Sequence, residues 1–182
     1  MSELKIYPDA GAQGAPEAAY TDFEGIRDRL AEIGVKFERW EASRPLSFDA
    51  GQDEVLAAYR EDVDRLTREY GFQSVDVVSL TPENPKKDEL RKMFLSEHAH
   101  ADFEVRFFVD GSGMFYLHAN ERVYMMRCDK GDLISVPAGT WHWFDMGAQP
   151  FFKAIRLFTT PEGWKAEFTG DAIAERFPAF GE

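Results

Sequence analysis

The sequence predicts an α+β, mainly β fold: an antiparallel β-barrel with helices packed outside it, toward the N-terminus. Apolar residues before about residue 95 recur at helical spacing, whereas from Phe103 to Phe158 the chain breaks into short apolar runs punctuated by turn residues. The chain also carries 16 phenylalanines in 182 residues, enough to fill a barrel interior.

The elements follow in order. Thr21-Asp22-Phe23-Glu24 is a capping-box pattern that opens a helix; Phe23, Ile26, Leu30 and Ile33 form its apolar stripe, and Gly34 stops it. A second stripe through Val55, Tyr59, Val63, Leu66 and Tyr70 predicts one helix from Asp53 to Tyr70, closed by Gly71. Ser74–Leu80 reads as a strand, and Asn84-Pro85 starts a short helix carrying Leu90, Met93 and Phe94. Val105–Val109 and Met114–Leu117 read as two arms of a hairpin that turns at Asp110-Gly111-Ser112-Gly113. Asp129-Lys130-Gly131-Asp132 is another turn, Leu133–Val136 a buried strand ended by Pro137-Ala138-Gly139, and Phe151–Phe158 the last strand. A terminal helix is expected over Asp171–Phe177. Without internal repeat, low-complexity tract or linker, one domain is expected over 1–182: a helical part at about 20–95, barrel motifs at about 96–158, and a C-terminal extension at 159–182.

Composition narrows the function classes. A net charge of −12 argues against nucleic acid or an anionic membrane as partner. No apolar run approaches the ~18 residues of a membrane span, and Met1-Ser2-Glu3-Leu4-Lys5-Ile6 lacks the apolar stretch of a signal peptide. Cys128 stands alone, so no intrachain disulfide forms and a reducing compartment is permitted. A cytoplasmic, monomeric enzyme acting on a small molecule is expected.

The chemistry concentrates in His98-Ala99-His100-Ala101-Asp102-Phe103-Glu104 and, far downstream, His142. In an extended strand His98 and His100 share a face, and Glu104 keeps their parity if the strand continues. Glu97 would then point the other way, to solvent. Two imidazoles and a carboxylate aimed into one pocket suit a divalent transition metal, and a third imidazole completes an N3O set. Four such ligands leave two octahedral positions for a chelating substrate. The plain alternative is that both histidines are ordinary polar residues near a loop. His118, in Leu117-His118-Ala119 at a hairpin end, is left out of the site.

The spacing His-x-His-x3-Glu-x6-Gly is followed by Gly131-x5-Pro137-x-Gly139-x2-His142. These blocks resemble the two motifs of the cupin superfamily, which implies a double-stranded β-helix, or jelly roll, with a metal in its mouth. One departure is Met146, where that superfamily usually has Asn. The resemblance narrows with Val35-Lys36-Phe37-Glu38-Arg39-Trp40, Glu104-Val105-Arg106-Phe107-Phe108, Leu133-Ile134-Ser135-Val136-Pro137, His142-Trp143-Phe144-Asp145-Met146-Gly147, Pro161-Glu162-Gly163-Trp164 and Phe168-Thr169-Gly170-Asp171. On these segments the chain resembles the acireductone dioxygenases of methionine salvage over nearly its whole length.

That resemblance implies one Fe2+ or Ni2+ per chain on His98, His100, Glu104 and His142, no organic cofactor, and acireductone (1,2-dihydroxy-3-keto-5-methylthiopentene) and O2 as substrates. It implies 2-keto-4-methylthiobutyrate and formate as products with iron, and carbon monoxide, formate and methylthiopropionate with nickel. It assigns Arg106 to formation of the substrate dianion and Glu97 to metal incorporation. Phe103 stands where the family usually has an acid beside the ligand Glu, among the residues around the metal. Strand parity places Arg106 on the face of Glu104, where an always-charged guanidinium would steady a substrate anion; its alternative is a surface ion pair. Phe94, Phe144 and Trp164 are candidates for an apolar wall around the methylthio tail, with core packing as the alternative for each. Two competing functions stay open. One is another metal-dependent cupin oxygenase or isomerase, although a sugar-phosphate isomerase should show more basic residues than Arg106 and Arg122 in this half. The other is a non-catalytic sensing cupin, which would be expected to have lost ligands.

Overall fold

The computed structural model describes residues 1–181. Along the chain run β1 (Glu3–Pro8), β2 (Ala18–Tyr20), helix α1 (Phe23–Ala31), β3 (Lys36–Arg39), α2 (Gln52–Ala58), α3 (Arg60–Tyr70), β4 (Ser74–Leu80), α4 (Lys87–Phe94), β5 (His98–Ala99), β6 (Glu104–Ala119), β7 (Arg122–Asp129), β8 (Asp132–Val136), β9 (Trp141–Asp145), β10 (Phe152–Phe158), β11 (Glu167–Phe168) and a 3-10 turn at Ile173–Arg176.

The long strand β6 belongs to two antiparallel sheets. Its first half pairs with β8 and β10, which carry β3 and β4 at their far sides; its second half pairs with β7 and β9. From there one sheet runs β11-β5-β9-β6-β7-β1-β2, and this order ends on β2 and β11 without closing. The expected barrel is thus a jelly-roll-like pair of sheets. Phe108, Phe115, Phe144 and Phe152 meet Leu4, Ile6 and Met126 between them, all buried. At roughly 1.5–3 kcal/mol per large apolar side chain, these rings are the main stabilising layer. Outside it, Val55, Tyr59 and Leu66 of the helical part cover Val105, Phe107, Ile155 and Leu157. No helix among the described residues is long and apolar enough to cross a membrane.

Several expectations are corrected. No hairpin turns at 110–113: β6 continues through it, and register against β10 shifts between Lys153 and Ala154. The glycines serve a bend and a close approach rather than a reversal. Gly111 has φ +69, and a Cβ there would lie 1.9 Å from the Phe151 carbonyl oxygen; a Cβ on Gly113 would lie 2.3 Å from Phe144 Cζ. We therefore expect Gly111→Ala to lower unfolding free energy by at least about 2 kcal/mol, from left-handed strain plus a backbone clash. Urea denaturation checks this; an unchanged midpoint would refute it.

The helix expected from Asp53 to Tyr70 breaks at Tyr59 (φ −107, ψ 18), whose buried ring packs edge-on against Phe107 at 5.3 Å. The N-cap of α1 is Asp22 rather than Thr21, and its carboxylate accepts from Gly25 N at 2.7 Å. The terminal helix shrinks to the 3-10 turn, and strands β1, β2, β3 and β11 are absent from the expected pattern. Strands β4, β8 and β10 and helix α4 lie close to the expected ranges.

Candidate metal centre

His98, His100, Glu104 and His142 come together, all buried, with one potential ligand atom from each lying within 4.8 Å of the others. They do not come from one continuous strand. β5 carries only His98 and Ala99, the chain leaves the sheet at His100, and Glu104 is the first residue of β6. One pairing joins two of them directly: His98 sits opposite His142 across β5 and β9, while Glu104 opens β6 opposite Val136 of β8. Ring centroids are 4.5 Å apart for His98 and His142, and 5.0 Å for His98 and His100.

Each imidazole has one nitrogen tied to a backbone carbonyl: His98 Nδ1 to Ser96 O at 2.8 Å, His100 Nδ1 to Lys165 O at 2.9 Å, and His142 Nδ1 to Thr140 O at 2.8 Å. A carbonyl can only accept, so each Nδ1 carries the proton and each Nε2 keeps its lone pair. The Nε2 atoms of His100 and His142 lie 3.0 and 3.1 Å from Glu104 Oε2. Neutral imidazoles in that tautomer have no proton to share with the carboxylate. A cation between them satisfies all the lone pairs, so the donor set fits a divalent transition metal.

The electrostatics agree. Burial alone would raise the Glu104 pKa, but Arg106, with His100 and His142, holds it well below the usual carboxylate range. Burial, then His142, pushes His98 down to about 4, so this imidazole is neutral at physiological pH. For His100 burial is the largest influence and lowers the pKa, but the adjacent Glu104 carboxylate and the Lys165 carbonyl together raise it.

The quartet opens on a cavity of about 750 Å³, lined also by Arg106, Arg156, Phe115, Phe94, Phe144 and Trp164. All three aromatics named from sequence therefore face it. Arg106 is buried, not on the surface. Its Nη2 donates to Glu104 Oε1 at 2.6 Å, and its guanidinium lies against the adjacent rings of Phe144 and Phe115, 4.5 and 4.9 Å from their centres. Its Nε–H has no hydrogen-bond partner among the described residues. Arg156, opposite Arg106 in the β6–β10 register, was missed. Asp76 holds it through two hydrogen bonds of 2.9 and 2.6 Å. A signal existed: Phe152, Ala154 and Phe158 are apolar at the same strand parity, so Arg156 is a charge on an inward face.

Glu97 corrects another expectation. It is 3% exposed rather than solvated. Its carboxylate takes the Thr169 hydroxyl at 2.9 Å and meets His118 Nδ1 at 2.8 Å. His118 stays outside the quartet, as expected. Phe103 is 46% exposed, faces away from the quartet, and borders a small separate cavity beside Leu66 and Tyr70.

Comparison with known proteins points one way. The model of the ARD/ARD' family matches residues 3–166. An acireductone dioxygenase of Hydrogenobaculum sp. (strain Y04AAS1) is 59% identical over 179 residues, covering 98% of this chain and 96% of that protein. That of Aquifex aeolicus (strain VF5) is 56% identical over 182 residues, covering 100% and 98%. A solved acireductone dioxygenase from Bacillus anthracis, with a cadmium ion in its active centre, superposes with a TM-score of 0.80 at 29% identity, covering 92% of this chain and 98% of the other. The chain belongs to the ARD/ARD' family, alongside these acireductone dioxygenases.

Proposed function

We propose that the protein cleaves acireductone with O2, using one Fe2+ or Ni2+ held by His98, His100, Glu104 and His142. The observation that carries the reading is the buried three-histidine, one-carboxylate quartet opening on a cavity that pairs an inner guanidinium with an aromatic wall. Bound there, the metal supplies Lewis acidity and a template on which an ene-diol and O2 meet.

The chain's own residues supply the rest. Arg106 sits within the cavity, next to a ligand carboxylate, with its charge already desolvated against two rings. It is placed to stabilise the enediolate anion, which reduces O2 without any other reductant, and to fix that anion's orientation. Phe94, Phe144 and Trp164 take the methylthio tail and exclude water from the reacting carbons. Glu97 serves the site indirectly: held by Thr169 and His118, it anchors the backbone from which His98 projects. Phe103 cannot replace the acid usual at its position, and contributes nothing polar around the metal.

With iron the expected products are 2-keto-4-methylthiobutyrate and formate; with nickel, carbon monoxide, formate and methylthiopropionate. Apoprotein reloaded with each metal and given acireductone under O2 tests both levels of the proposal. Headspace carbon monoxide is expected from the nickel sample alone. Identical products from both would reject the metal switch, and no oxygen uptake by either would reject the dioxygenase reading.

A further inference from the structure

We propose that Asp102 is a positioning residue for the metal centre, pinning the loop between His100 and Glu104 to the segment that follows β10. This rests on the metal reading above. Residues 100–103 are the break in the sheet, and nothing in a β-ladder holds them between the two ligands. Asp102 does so instead. Its side chain is 5% exposed and accepts from Thr159 N at 2.6 Å, the Thr159 hydroxyl at 2.5 Å, Thr160 N at 2.9 Å, the Thr160 hydroxyl at 3.4 Å, and Phe103 N at 2.7 Å.

Two independent features converge on the same place. A Cβ on Gly163 would lie 2.5 Å from Asp102 Oδ2 and 2.7 Å from Phe158 Cβ, so the segment can close on this carboxylate only with glycine there. The same segment then delivers the Lys165 carbonyl that orients His100, while the Phe158 ring lies 6.2 Å from the His100 ring. Asp102 thus ties the start of β6 to the segment that supplies the acceptor of the His100 Nδ1 proton, while Gly139 N, donating to His100 O at 2.9 Å, holds the other end of the loop. Freed, His100 and Glu104 would have to be ordered by the metal itself, at a cost in affinity. Outer partners of this kind carry roughly 10–100-fold in metal affinity.

Co2+ is the probe, bound in place of the native metal and read by titration and by its visible absorption bands. Asp102→Asn keeps the shape and one acceptor oxygen, and should weaken Co2+ binding about tenfold; Asp102→Ala should approach a hundredfold and shift the bands. Thr159→Val, which removes one hydroxyl at constant volume, should weaken binding a few-fold. If Asp102→Ala does not fold, the two milder variants decide. Folded variants with a lowered Tm but wild-type Co2+ affinity and bands would overturn the proposal, leaving Asp102 as scaffold only. Failure of the wild-type chain to bind Co2+ would instead overturn the metal centre, and this inference with it.

Discussion

Replacing His142 with alanine should abolish stable metal binding, reducing content from one divalent ion per chain to near zero after dialysis, whereas His118→Ala should keep full occupancy. His142 lies opposite His98 across β5 and β9 and beside Glu104 Oε2 at 3.1 Å. Its ring is 2% exposed, in the wall of the cavity. Its loss also leaves Glu104 with one fewer partner in a desolvated position, which compounds the lost coordination bond. His118 differs in kind. It supports Glu97, and Thr169 would still hold that carboxylate once the imidazole is gone. Metal analysis of the two dialysed variants separates the cases. Full occupancy in His142→Ala, or loss in His118→Ala, would sink the ligand assignment.

Arg106→Ala should retain metal and lose about a hundredfold in kcat/KM, equivalent to on the order of 3 kcal/mol of transition-state stabilisation. Burial works against the charge on this guanidinium, and Glu104 at 2.6 Å is the group that sustains it. Such a desolvated charge, placed before substrate arrives, needs no reorganisation when the enediolate forms. Removing it deprives Glu104 of its largest favourable partner, but a bound metal compensates that carboxylate, so occupancy should survive. Arg106→Lys should recover only part of the rate, because one ammonium cannot bond Glu104, lie against Phe144 and Phe115 and still reach the substrate. Kinetics at saturating metal, with metal content measured alongside, provide the check. Near-normal turnover in metal-loaded Arg106→Ala would remove Arg106 from the chemistry.

The four ligands were legible in the sequence through the spacing of two glycine-punctuated blocks, although the strand-parity reasoning for them fails. His98, His100 and Glu104 face one point because a loop, not a continuous strand, joins them. What stayed hidden depends on partners remote in sequence. Glu97 looks solvated until Thr169 and His118 close on it, and Asp102 looks like a loop polar residue until Thr159 and Thr160 arrive. The glycines at 111 and 113 announce a turn by local statistics. Their use is to let β6 pass under Phe151 and Phe144, a contact with residues far along the chain. The helical stripe over 53–70 is real, yet periodicity alone does not register that Tyr59 leaves helical geometry to bury its ring. Strand β1 alternates charged and apolar residues at a chain end, so little distinguishes it from a polar tail until β7 pairs with it.

The three imidazoles owe their orientation to main-chain oxygens of Ser96, Thr140 and Lys165. A carbonyl is present whatever side chain its residue bears. Those three positions can therefore drift in charge and size over evolutionary time, or be rewritten by an engineer to alter how a charged substrate is drawn in, while the chemical identity of every metal-facing nitrogen stays the same.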